Sequence, residues 1–335
     1  MRNPLPMTSR FSSRVGPPRS GRVIAGSSGL VLLLVLGLAI SGCVPETAVK
    51  EETCDSAYQE RNYPVALTLC GELAEAGSVS DQLRVAQMYY FGQGTRKDLT
   101  KAVEWFQLAA DNGSPDAQER LGILYENGEG VNQDFERAVY WYERAVEGGS
   151  VVVEARNNLA VMYEQGRGVE KNLDSAVRLY KEAVANGHAK AHYNLGRLYA
   201  EGGVVEQDIV KATNLYRVAA EQGLAEAQFA LAVSYETGQG VPKDQPLSLH
   251  WYETAAEHGY TQAGVLLGWR YRRGESAPVD LIKSYGYFNL AAALGSEKAR
   301  YGLKLLTTSL SADQITKGQN FSKQLWTKYQ DTQRP

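Results

Sequence analysis

The sequence predicts an all-α protein, a stack of αα-hairpins, and three observations carry that expectation. The first is spacing. Within residues 114–149, Ala117, Leu121, Gly122 and Tyr125 recur at steps of three and four, and Ala138, Trp141, Tyr142, Ala145 and Val146 do so again. Such steps put each set on one face of a helix. The second is punctuation. Asn127-Gly128-Glu129-Gly130-Val131 is too glycine-rich for a helix interior, and Asp134 stands where an N-cap is needed. The third is recurrence. Gly77, Gly113, Gly149, Gly187, Gly223, Gly259 and Gly295 follow one another at 36, 36, 38, 36, 36 and 36 residues. One hairpin cannot bury both its apolar faces, so the copies must stack.

The same positions recur in every copy. The first-helix tyrosine returns as Tyr89, Tyr125, Tyr163, Tyr199, Tyr235 and Tyr271, and the cap as Asp98, Asp134, Asn172, Asp208, Asp244 and Asp280. The small pair of the second helix returns as Ala109-Ala110, Ala145-Val146, Ala183-Val184, Ala219-Ala220, Ala255-Ala256 and Ala291-Ala292. The pattern Ala-x3-Leu-Gly-x2-Tyr-x2-Gly-x-Gly-Val-x2-Asp-x3-Ala-x2-Trp-Tyr-x2-Ala-Ala resembles the Sel1-like repeat, a relative of the tetratricopeptide repeat. The resemblance covers roughly residues 79–299. It implies a right-handed α-solenoid that binds proteins or polymers, and it implies no particular reaction. Val204 and Ser276 replace the second loop glycine in the fourth and sixth units, and residues 150–163 carry two extra positions. These departures put the local loop geometry in question.

Taken in order, residues 1–42 read as a signal peptide. Residues 1–28 are rich in Arg, Ser, Gly and Pro, Leu30 to Ile40 is an apolar run, and Ser41-Gly42-Cys43 follows. Ile40-Ser41-Gly42-Cys43 resembles a bacterial lipobox, which implies cleavage before Cys43 and lipidation of its thiol. An uncleaved membrane helix over Val23–Val44 is the alternative, although Gly26, Ser27, Ser28 and Gly29 shorten its apolar part. Plain secretion is a third. Several acyl chains anchor firmly, at about 0.8 kcal/mol per buried methylene. Val44 rather than aspartate after the cysteine favours the outer membrane over the inner. Residues 43–50 are then a lipidated tether.

Residues 51–77 read as a degenerate capping repeat, with Ala66, Leu69, Leu73 and Ala74 on its second-helix face. Cys54 and Cys70 are the two cysteines left over, and an oxidising periplasm suggests a disulfide between them; two buried thiols are the alternative. Six repeats fill 78–295. Residues 296–330 form C-terminal capping helices, the last opened by Ser311 and striped by Ile315, Phe321, Leu325 and Trp326. Residues 331–335 should fray as a disordered tail.

Composition narrows the function. The first 43 residues hold five arginines and no acid, which leaves 30 basic against 38 acidic residues from Val44 onward, a net of −8. A body this acidic argues against nucleic acid as a partner. The recurring Gly-x-Gly, as in Gly92-Gln93-Gly94, joins two helices in each unit, so it reads as a turn and not a phosphate cradle. His188 and His192 have i, i+4 spacing but no third ligand in sequence, and read as surface residues flanking Ala191. No metal, cofactor or catalytic residue is expected. A hydrolase of cell-wall or β-lactam type would need paired carboxylates or, in the β-lactam-binding relatives, a cysteine pair in each repeat, which repeats one to six lack.

A groove remains. The resemblance places it on the first helices, and phasing against Leu121, Gly122 and Tyr125 exposes Glu119, Ile123 and Glu126. The partner-binding candidates are Tyr90, Phe91, Glu126, Tyr193, Arg197, Phe229, Trp269, Arg272 and Arg273, because aromatic and arginine side chains dominate binding hot spots. Packing of Tyr90 and Trp269 between helices is the competing assignment. The expected function is a lipid-anchored, periplasm-facing adaptor or scaffold for a protein partner. A module binding peptidoglycan or exported polysaccharide is the alternative.

Overall fold

The computed structural model describes residues 53–148 and 152–334. The signal segment, Cys43 and the tether lie outside the described residues. Among the described residues every regular element is a helix. The N-terminal cap is α1 (Cys54–Gln59) and α2 (Tyr63–Glu75). Six hairpins follow: α3 (Val79–Phe91) with α4 (Leu99–Asp111), α5 (Pro115–Asn127) with α6 (Phe135–Glu147), and α7 (Val153–Gln165) with α8 (Leu173–Ala185). Then come α9 (Ala189–Glu201) with α10 (Ile209–Glu221), α11 (Ala225–Thr237) with α12 (Gln245–Glu257), and α13 (Thr261–Arg273) with α14 (Leu281–Ala293). Two last helices, α15 (Glu297–Thr307) and α16 (Ala312–Thr332), complete the chain.

Local chemistry fixes each hairpin. The first helix stops at a left-handed glycine, as at Gly92, Gly128, Gly166, Gly238 and Gly274. The loop is then clamped by one repeated backbone bond, in which Asp134 N–H donates to the Tyr125 carbonyl at 2.9 Å, and Asp98, Asn172, Asp208 and Asp244 do the same. The side chains of these acidic or amide residues cap the second helices, Asp134 accepting from Arg137 N–H at 3.0 Å. The second loop glycine has a further task. Gly130 and Gly240 sit at φ +74° and +72°, and a Cβ there would come within 2.6 Å of the Leu99 and 2.5 Å of the Ile209 carbonyl oxygen in the preceding repeat. Where that glycine is missing the loop adjusts. Ser276 keeps the left-handed conformation at φ +66°, while in the fourth unit Gly202 and Gly203 both turn positive and Val204 does not.

Packing within a hairpin sets a small residue against a ring. A Cβ on Gly122 would strike the Tyr142 ring, one on Gly196 would lie 2.8 Å from Tyr216, and one on Gly268 2.6 Å from Phe288. Tyr142, Tyr180, Tyr252 and Phe288 are fully buried. Burying such a side chain stabilises by about 1.5–3 kcal/mol.

The two ends differ from plain repeats. In the N-terminal cap Ala66 and Ala74 face the core as expected, but Leu73 is exposed and Cys70 takes the inward place beside them. Cys54 and Cys70 are joined by a disulfide across α1 and α2, their Cα atoms 4.9 Å apart. At the other end α16 does not pair with α15. It turns back across α14 and reaches α12. Gly286 of α14 and Gly318 of α16 make that crossing close, since a Cβ on Gly318 would lie 2.6 Å from Tyr285 and one on Gly286 would strike Phe321. Leu325 is buried, Lys328 pairs with Glu257 at 2.5 Å, and Trp326 is 37% exposed. The helix continues through Asp331 and Thr332, past the expected start of the tail, because Gln333 N–H still finds the Gln330 and Asp331 carbonyls. Gly318→Leu should therefore lift α16 from α14 at a cost of about 1–3 kcal/mol. Hydrogen exchange checks this, with protection falling in α16 and staying unchanged in α5 and α6.

Candidate functional site

The first helices α5 and α7 approach one another, as do α13 and α15, and no two second helices of the six repeats come as close. The first helices thus line the inner side of the stack. One row on this face runs Leu83, Glu119, Asn157, Tyr193, Phe229, Val265 and Tyr301, and a second runs Gln87, Ile123, Val161, Arg197, Val233 and Trp269.

Part of the face is tied to itself. Tyr142 donates to Glu126, Tyr180 to Glu164 and Tyr252 to Glu236, each at 2.8 Å. An arginine from the next repeat joins each carboxylate: Arg167 lies 3.7 Å from Glu126, Arg197 pairs with Glu164, and Arg270 pairs with Glu236. A hydrogen bond to a charged group contributes about 1.5–3 kcal/mol. Glu126 and Arg197, candidates for contact with a partner, are therefore occupied in ties within and between repeats. The fourth unit breaks the series. Ala200 stands in the carboxylate's place, and burial, with Tyr193 beside it, pushes the Tyr216 hydroxyl up to about 12.

The remaining candidates form two groups. Near the N-terminal end Phe91 is 60% exposed, but Tyr90 is half-buried and donates to Glu129 of the next loop at 2.9 Å. Burial and that bond raise its pKa. Toward the C-terminal end Tyr193 packs on Tyr216 with ring centres 5.7 Å apart, and Phe229 on Tyr260 at 5.0 Å. Trp269 is half-buried, edge-on to Phe288 at 5.2 Å, with the guanidinium groups of Arg272 and Arg273 over its ring at 5.4 and 5.2 Å. Packing and exposure are thus both true of Trp269. A cavity of about 390 Å³ beside it is lined by Phe229, Val265, Leu266 and Lys298 among others. Tyr216, Tyr260 and Lys298 escape a reading of the six first helices alone, because they sit on the second helix α10, the N-cap of α13 and the terminal helix α15.

Glu119 is an inner-face carboxylate with strongly perturbed acidity. Among the described residues it makes no hydrogen bond or ion pair. Burial raises its pKa to about 7, and the neighbouring Glu154 carboxylate adds to the shift.

Other candidate chemistry resolves into structure. His188 caps α9, its Nδ1 accepting from Ala191 N–H at 3.2 Å, and His192 is buried against the His188 carbonyl, not on the surface. At the N-terminal cap the Asp81 carboxylate lies 3.0 Å from the Cys54 sulfur and Arg84 donates to that sulfur at 2.8 Å. Both sulfurs of this cluster are used in the disulfide, so it offers no thiolate to a metal. No helix among the described residues is long and apolar enough to cross a membrane.

Stacked hairpins with an open inner face define a scaffold-type α-solenoid. The model of the Sel1 repeat matches residues 79–114, 115–150, 153–188, 189–224, 225–260 and 263–296, and the chain belongs to the Sel1 repeat family. A Sel1 repeat protein from Oxalobacter formigenes is 29% identical, with a TM-score of 0.67 over 71% of this chain and 94% of that one. The c5321 antigen of uropathogenic Escherichia coli is 21% identical with a TM-score of 0.36, covering 83% of this chain and 85% of that one. The immunity protein Pa5087 from Pseudomonas aeruginosa is 24% identical with a TM-score of 0.43, covering 65% and 81%. No curated protein matches the chain. Sel1 repeat proteins bind protein partners and are generally non-enzymatic adaptors.

The raised acidity of Glu119 has a measurable consequence. The folded chain holds this proton up to about pH 7, whereas the unfolded chain releases it near 4.5. Between those values the folded state binds more protons, so the Glu119 contribution to stability falls as pH rises and is lowest above 7. Glu119→Gln should raise the melting temperature relative to the parent increasingly from pH 4.5 to 7, with a constant difference above. A difference independent of pH would rule this out.

Proposed function

We propose that this protein is a lipid-anchored adaptor of the bacterial cell envelope, attached through Cys43 and facing the periplasm from the outer membrane, with a protein partner held on the inner face of its repeats. The observation that carries the binding half is the half-exposed aromatic and cationic surface of Tyr193, Phe229, Tyr260, Trp269, Arg272 and Arg273. Its rings are already held by neighbours, so little side-chain entropy is lost when a partner covers them. The anchoring half is supported by the sequence Ile40-Ser41-Gly42-Cys43 behind its apolar run. The Cys54–Cys70 disulfide is in keeping with an oxidising compartment.

Photo-crosslinking in the producing cell tests the groove. A benzophenone side chain at Val161 or Val233 on the inner face should capture a protein, and one at Tyr140 on a second helix should not. Trp269→Ala with Arg273→Ala should reduce capture at least about tenfold with helicity unchanged. Equal loss of helicity and capture would remove the assignment. For the anchor, Cys43→Ala should yield a soluble or unprocessed product on fractionation. Full-length protein kept in the membrane would point instead to a spanning helix.

A further inference from the structure

The inner face is electrically lopsided. In the second and third repeats its uncompensated group is Glu119, with Asp116 and Glu154 close enough to act on it. Arg120, whose charge acts on Glu119, is turned onto the Tyr90 ring at 5.7 Å, and Lys190 lies 3.7 Å from Glu154. At the sixth repeat the sign reverses. Arg272 has no carboxylate partner among the described residues, Arg273 is 3.4 Å from Glu275 only, and Lys298 borders the cavity beside Trp269. Between the two ends Ile123, Val161 and Val233 are partly buried, and the charge among them, Arg197, is neutralised by Glu164 and Glu201.

We propose that this face takes a single polypeptide segment of a partner that carries basic side chains over Glu119, apolar ones over Val161 and Val233, and acidic ones over Trp269, Arg272 and Arg273. The proposal rests on the binding role given above and specifies the chemistry of the occupant. Charge complementarity selects a polypeptide. A neutral glycan leaves both ends desolvated and unmatched, and a uniformly anionic polymer satisfies one end and is repelled at the other. A segment with both signs matches each end and is fixed in one direction along the stack, because reversal opposes like charges.

Four synthetic peptides of one length and one leucine pattern test this by fluorescence anisotropy. One has lysines at one end and glutamates at the other, one has lysines at both ends, one has glutamates at both, and one has serines in their place. The asymmetric peptide should bind tightest. Glu119→Gln, or Arg272→Gln with Arg273→Gln, should weaken it about fivefold. A benzophenone on its lysine end should mark the helix carrying Glu119, and one on its glutamate end the helix carrying Trp269. Equal or tighter binding of any other peptide, no binding of any, or marking of both helices from one end would overturn the proposal. If the inner-face crosslinks in cells persist under those outcomes, the adaptor role stands and only the charge assignment fails. If those crosslinks are absent, the role itself fails.

Discussion

The rest of the structure depends on the contact between a small residue of the first helix and a ring of the second. It is seen as Gly122 on Tyr142, Gly196 on Tyr216 and Gly268 on Phe288, and the equivalent positions of the other repeats hold Ala86 with Phe106, Ala160 with Tyr180 and Ala232 with Tyr252, all buried. Close-packed interiors transmit such a constraint without slack. The ring sets the separation of the two helices, and that separation fixes which neighbouring row points inward. Where the ring is tyrosine it also presents a hydroxyl at the inner face, and in three repeats a glutamate receives it. Core packing and surface chemistry are in this way one device.

The fold was legible in the sequence because each of its determinants is short-range and repeated. The N-caps fall on Asp98, Asp134, Asn172, Asp208, Asp244 and Asp280, and the helix ends on the loop glycines, since both act within a few residues. What failed was local in the same sense. Leu73 and Trp326 carry the right spacing for a core but have no neighbouring repeat to cover them, so a terminal unit does not obey the pattern of an interior one. The return of α16 across α14 depends on two glycines 32 residues apart, Gly286 and Gly318, and no periodicity announces such a pairing.

The site was legible in position more than in use. Phasing put Tyr193, Phe229, Trp269, Arg272 and Arg273 on one face of the first helices, but it could not show that Glu126 and Arg197 were already engaged. Those ties join residues 16, 33 or 41 apart across a hairpin or between repeats, and they depend on side-chain reach. Nor could it single out Glu119, whose acidity follows from what surrounds it and not from its place in the chain. An arginine or glutamate on an inner row is thus a free contact or a cross-tie according to its neighbour one repeat away.

The path of α16 has a consequence for what can lie along the stack. Because this helix leaves sideways instead of adding another layer, nothing it contributes stands across the end of the first-helix row, and Tyr301 on α15 remains 61% exposed there. A closing layer would have made a wall. Among the described residues no such layer closes this end of the row, which leaves it open past α15.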